Sequence, residues 1–247
     1  RQVQICLWAA RTDAIRRVRL PEDAGMLVCY EGVAYFSAQS ADGATLTEQT
    51  KAVYRRYEAL LKENGLRLEN ILNGNIYCQD ITMQDEYEQQ WIRWTYPGHK
   101  PAGTMVEGRP ADRRDLLALG LTFADSPEIA DVKRVKPAEN CCRYVEYRKT
   151  AYFTGHVCLD ADAKDLYDHT KGVLRRFCKV FKEEYGLRMD RIISASAYIS
   201  DIRQAPLFHK AWDEWFTPGT EPACSVIATR LLGDEFQIEL ALIVADE

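Results

Sequence analysis

The chain says the same thing twice, and that repetition limits its fold more than any other feature. Ala34-Tyr35-Phe36 returns as Ala151-Tyr152-Phe153, Thr50-Lys51 as Thr170-Lys171, and Gly65-Leu66-Arg67 as Gly186-Leu187-Arg188. Tyr77 with Asp80-Ile81 returns as Tyr198 with Asp201-Ile202, and Trp91, Trp94 and Pro97-Gly98 as Trp212, Trp215 and Pro218-Gly219. The offset drifts from 117 to 121 residues, so about four residues are inserted in the second copy. Solenoid repeats run roughly 20–50 residues. A period this long is a duplicated domain, and 247 residues accommodate two copies that each bury a core. Two copies in one polypeptide free each to lose what the other keeps.

Each copy predicts the same series of elements. A short apolar strand (33–38; 151–155) precedes a long amphipathic helix. In the second copy Leu166, Thr170, Val173, Leu174, Phe177, Val180 and Phe181 fall on one helical face, as do Val53, Tyr57, Leu60 and Leu61 in the first. Gly65 and Gly186 stand where a left-handed residue ends each helix. A strand follows (71–78; 192–200), then a second helix whose aromatics, Tyr87, Trp91 and Trp94 or Phe208, Trp212 and Trp215, share a face and belong to the core. Two strands close each copy (104–107 and 116–123; 225–229 and 236–244), joined by hairpin-like connections at 109–112 and 231–234. The order β-α-β-α-β-β gives an α+β fold, each domain a mixed sheet with two helices packed on one face. The expected domains are 1–124, with leading strands at 3–9 and 26–30, and 140–247, led by a strand at 142–147. Residues 125–139, rich in Pro, Lys and acidic side chains, read as a linker.

Composition narrows the function. A net charge of −5 and only brief Arg pairs argue against a nucleic-acid partner. No apolar run reaches the ~18–20 residues of a membrane span, and no signal-peptide core is visible, so a cytoplasmic protein without a membrane partner is expected. The chain begins with Arg1 rather than Met, which leaves that expectation little weight. Eight cysteines lack the spacing of a disulfide scaffold and form no CxxC pair; free thiols, no metal and no cofactor are expected.

A strand ending in Ser37-Ala38-Gln39 or Thr154-Gly155-His156, a long helix, then Pro101-Ala102-Gly103-Thr104 or Pro222-Ala223-Cys224-Ser225 opening a strand, resembles the RidA (YjgF, endoribonuclease L-PSP-like) family in both copies. That resemblance implies a chorismate-mutase-like fold, imine/enamine deaminase chemistry and ligand pockets between the subunits of a homo-oligomer, a trimer being favoured. Family deaminases place an arginine after Pro-Ala, where a guanidinium can grip a substrate carboxylate through two charge-assisted hydrogen bonds. Gly103 and Cys224 stand there instead. Arg109 and Arg230 match a different arginine of the motif. The family also uses a glutamate on the last strand, fifteen residues on: Glu239 in the second copy, Ala118 in the first.

Glu239, flanked by Ile238 and Leu240, is the candidate catalytic residue; Thr154, Gly155, His156, Cys224, Ser225 and His209 are candidate ligand contacts. His156, His209, Cys224 and Glu239 together would also suit nucleophilic or metal chemistry, and both alternatives stay open. The expected function is binding of a small metabolite in a domain-interface pocket without typical deamination. The alternative is an active hydrolytic deaminase that uses Glu239 with a substitute cation. A tandem enzyme of chorismatase type finds no signature residues here.

Overall fold

The computed structural model describes residues 14–21, 24–95, 98–110 and 112–245. The strand expected at 3–9 lies outside them. The chain divides into two compact units, one reaching Arg148 and one from Lys149 onward.

The first unit runs β1 (Arg16–Arg19), β2 (Met26–Tyr30), β3 (Val33–Phe36), α1 (Leu46–Glu63), β4 (Ile71–Cys78), α2 (Gln84–Trp94), β5 (Ala102–Glu107) and β6 (Leu117–Ala124). Its sheet has the order β1-β2-β3-β6-β4-β5, antiparallel except for β4 and β5. Thr45 caps α1 by accepting from the Glu48 N–H, and Gly65 leaves the helix at φ +68°. The α1 stripe Val53, Tyr57, Leu60 and Leu61 is buried on Leu117, Leu119, Leu121 and Phe123 of β6, which alternate with more exposed neighbours. The α2 aromatics are core: Trp91 and Tyr87 are buried, and Trp94 stacks on Tyr54 at 4.2 Å.

The second unit repeats this plan with β9 (Thr150–Phe153), β10 (His156–Val157), α3 (Leu166–Val180), β11 (Ile192–Ile199), α4 (Ala205–Asp213), β12 (Ala223–Ala228) and β13 (Ile238–Ala245). Its strands order as β12-β11-β13-β9, with β10 also on β13; β11 and β12 are parallel. A π-helical turn, Phe181–Tyr185, prolongs α3 to Gly186 at φ +65°. Ile238, Leu240, Leu242 and Val244 of β13 face the helices and are buried.

Two expectations need correction. The connections at 109–112 and 231–234 are not hairpins, because β4 lies between β5 and β6 and β11 between β12 and β13. Turn residues of the right type cross over the end of the intervening strand. Residues 125–139 are not a bare linker: β7 (Val132–Pro137) pairs antiparallel with β8 (Cys142–Tyr147). Three of its six residues are Lys or Arg and its two valines stand three apart, so no period-2 apolar pattern marks it as a strand.

Candidate functional site

Residues paired directly across a sheet share one face, so register decides which side chains can meet. Glu239 pairs with Tyr198 on one side and Val157 on the other, and Tyr198 pairs with Ile227. The next row on that face is Ala241, Ser196 and Ser225. This is the sheet face turned away from α3 and α4, since Leu240 and Leu242 take the helix side.

Glu239 is nevertheless only 8% exposed. The backbone at Gly155 lies against its carboxylate, and a Cβ at that position would collide with Glu239 Oε1. No hydrogen bond or ion pair of this carboxylate is found among the described residues. Burial alone pushes its pKa from the usual 4.5 up to about 7. A carboxyl group held this way is poised to take and give a proton near neutrality.

The structure separates the other candidates. His156 pairs with Leu240, on the opposite face from Glu239, and its ring packs on Phe177 with centroids 4.6 Å apart. Its Nδ1 lies 2.7 Å from the Thr154 carbonyl, which can only accept, so Nδ1 carries the proton. Cys224 pairs with Ala195, whose other neighbour is Leu242, so it too belongs to the helix-side rows. His209 is exposed on α4, edge-on to Phe208. The expected cluster of His156, His209, Cys224 and Glu239 is therefore not assembled. Gly155 does reach Glu239 as backbone, Ser225 shares its face, and the Thr154 carbonyl is engaged by His156 instead. Among the described residues no group of three His, Cys, Asp or Glu is placed to hold a metal ion. None of the seven described cysteines is in a disulfide, and burial raises Cys142 to about 12, far from a reactive thiolate. No described helix is long and apolar enough to cross a membrane.

Tyr198 and Ser196 were not anticipated as neighbours of Glu239. Alternation along β11 puts them on one face, but only the pairing of β11 with β13 shows which face it is.

The family model described as Endoribonuclease L-PSP matches residues 132–246, the copy that keeps Glu239. A RutC family protein of Haemophilus ducreyi is 30% identical over 99 residues, covering 40% of this chain and 83% of the relative. The chain belongs to the RidA/RutC (YjgF) family. The RutC family protein YoaB of Escherichia coli is similar as well, 28% identical over 102 residues, 41% of this chain and 86% of its own. Among solved structures, a chorismatase shares the fold over 92% of this chain and 85% of its own, with a TM-score of 0.63 at 10% identity. As a RidA-family protein, the chain has the two mixed sheets with helices expected of a tandem duplication. The register also aligns the two copies: Tyr77 faces Ala118 where Tyr198 faces Glu239, and Gly74 neighbours Gly103 where Ala195 neighbours Cys224.

Proposed function

We propose that this RidA-family chain binds a small metabolite at its second copy, on the sheet face around Glu239, and is not a typical α-imino-acid deaminase. The observation that carries this reading is Glu239 itself. A buried carboxylate with no protein donor against it is costly to keep unless a ligand completes it. The groups that share its two rows, Tyr198, Ile227, Ser196, Ser225 and Ala241, can hydrogen-bond or pack but include no cation. Gly103 and Cys224 leave both copies without the guanidinium that would grip a substrate carboxylate, and Ala118 removes the acid from the first copy. The favoured ligand is thus small and neutral or cationic, such as an imine or iminium without a neighbouring carboxylate.

A second reading is an active hydrolytic deaminase, in which Glu239 orients water and another cation holds the substrate. Its support is the pKa near 7, which suits proton transfer. One assay separates the two: ammonia release from freshly generated 2-iminopropionate and from an imine lacking the carboxylate, wild type against Glu239→Gln. A rate equal to buffer on 2-iminopropionate, with a Glu239-dependent thermal shift or turnover on the uncharged imine, is expected. Glu239-dependent acceleration on 2-iminopropionate establishes the second reading. No response to any compound, in either protein, overturns both.

A further inference from the structure

Two equivalent segments, 112–116 and 233–237, lead the chain from β5 into β6 and from β12 into β13, and they are held differently. Each ends two residues before the position that is Ala118 in the first copy and Glu239 in the second.

The first segment is braced three ways. Buried Gln49 of α1 accepts from the Leu116 N–H at 2.7 Å and donates to the carbonyls of Arg114 (2.9 Å) and Gly43 (3.0 Å). The Ser40 hydroxyl donates to Asp115 Oδ2 at 2.6 Å. Asp112 accepts from the Arg114 N–H at 2.9 Å and from its guanidinium at 2.8 Å.

None of these braces recurs among the described residues of the second copy. The helix caps Thr45 and Asp165 align Gln49 with His169. His169 is buried and still meets the carbonyl of Ala163, the counterpart of Gly43, but its Nδ1 has no hydrogen-bond partner among the described residues. The Glu235 carbonyl and the Gln237 N–H stand where Gln49 holds Arg114 and Leu116, and they have no such partner either. Gln237 also buries its side-chain Oε1 without one. The pairings of Gln39 with Leu119 and His156 with Leu240 put Val157 in the place of Ser40, and strand register puts Phe236 in that of Asp115. Neither replacement has a side-chain group that forms a hydrogen bond. Gly233, left-handed at φ +90°, replaces Asp112. The second segment keeps the Phe236 N–H on the Gly233 carbonyl (3.2 Å), an exposed Arg230–Asp234 pair (3.6 Å), and the Ser200 N–H on the Gln237 carbonyl (3.0 Å) at its root.

Glu239 is buried, so whatever reaches its carboxylate needs part of the structure to open. Segments with few ties are the ones that open locally, at a free energy well below global unfolding. We propose that segment 233–237 is a lid for the Glu239 site, left unlatched because His169 stands where the first copy has its glutamine clamp. It moves about Gly233 and its root at Ser200, two residues from Tyr198 of the Glu239 row. The inference rests on the reading of Glu239 as the binding site.

Two measurements on the full chain test it: hydrogen exchange of the two segments, and labelling of Glu239 by a water-soluble carbodiimide with glycinamide. Labelling needs no ligand, so a chain that binds none of the imines still reports on the lid. In wild type the protection factors of 233–237 are expected to lie at least about tenfold below those of 112–116. His169→Gln restores the clamp and is expected to slow both exchange of 233–237 and labelling of Glu239 by at least about tenfold. Labelling of exposed Glu63 and exchange of the β11 and β13 amides stay as in wild type. Gln49→His is the converse variant and is expected to speed exchange of 112–116. Equal protection of the two segments in wild type would overturn the proposal. So would His169→Gln that leaves Glu239 labelling unchanged, or that slows the β11 and β13 amides as much as the lid, the mark of general stabilisation. Gln49→His without effect on 112–116 would overturn it as well.

Discussion

Tyr77 and Tyr198 occupy the same place in the two copies and look out on different chemistry. Across the strand from Tyr77 stands Ala118, and across from Tyr198 stands Glu239. The loop follows the same division. Gly155 has no room for a Cβ beside the Glu239 carboxylate, while its counterpart Ala38 carries a methyl group, 3.8 Å from where a Cβ on Gly120 would stand. The helix side differs in the opposite sense. In the first copy Tyr57 donates to the Leu119 carbonyl at 2.7 Å, and Gln39 donates to Ala24 and Ser37. In the second copy the same two positions hold Phe177 and His156, stacked in an aromatic cluster with Phe153 and Phe181. Duplication let one copy keep a polar network behind its sheet and give up the acid in front. The other keeps the acid, and its core is stapled by rings.

The comparison breaks most visibly at Phe177. Phe177→Ala removes the ring that touches His156, Phe153 and Phe181, and should destabilise the second unit by about 3–5 kcal/mol in urea unfolding. A loss below about 1 kcal/mol would mean that the cluster does not hold the core.

Glu239 comes next, with a definite pH dependence. Its folded pKa, about 7, exceeds the unfolded value of 4.5, so the native state binds the proton more tightly. The stability this contributes is fully present below pH 4.5, falls through the window from 4.5 to 7, and is absent above it. A shift of this size corresponds to about 3 kcal/mol. Glu239→Gln should therefore match wild type at pH 4 and exceed it at pH 8 by up to that amount. Parallel stability curves for the two proteins across this window would show that Glu239 is solvated or paired.

Gly155→Ala puts a methyl group into the carboxylate and should cost about 1–3 kcal/mol, with most of the loss recovered in Gly155→Ala/Glu239→Ala. Ala38→Gly in the first copy should cost less than about 1 kcal/mol, because no acid faces it. Equal costs at the two positions would remove the link between the loop and the acid. Tyr57→Phe deletes the hydroxyl bonded to Leu119 and should cost about 1 kcal/mol, read in the same unfolding experiment.

Much of this was legible in the order of residues. The duplication, the element series, the helix faces and the glycine stops follow from periodicity and spacing, which act locally along the chain, and the difference between Ala118 and Glu239 from the family resemblance. Strand pairing does not. Spacing suggested that the strands carrying Pro-Ala and Glu239 were neighbours, and the structure puts β11 between them in parallel register with β12. Similarly, His156 was expected to join His209, Cys224 and Glu239 in one polar cluster. Pairing with Leu240 sends its ring to the other side of the sheet. Sequence thus determined which side chains each strand offers and which copy kept an acid. Only the tertiary structure decided which of them share a face, because a residue's face depends on the partner strand's register, and a slip of one position reverses it.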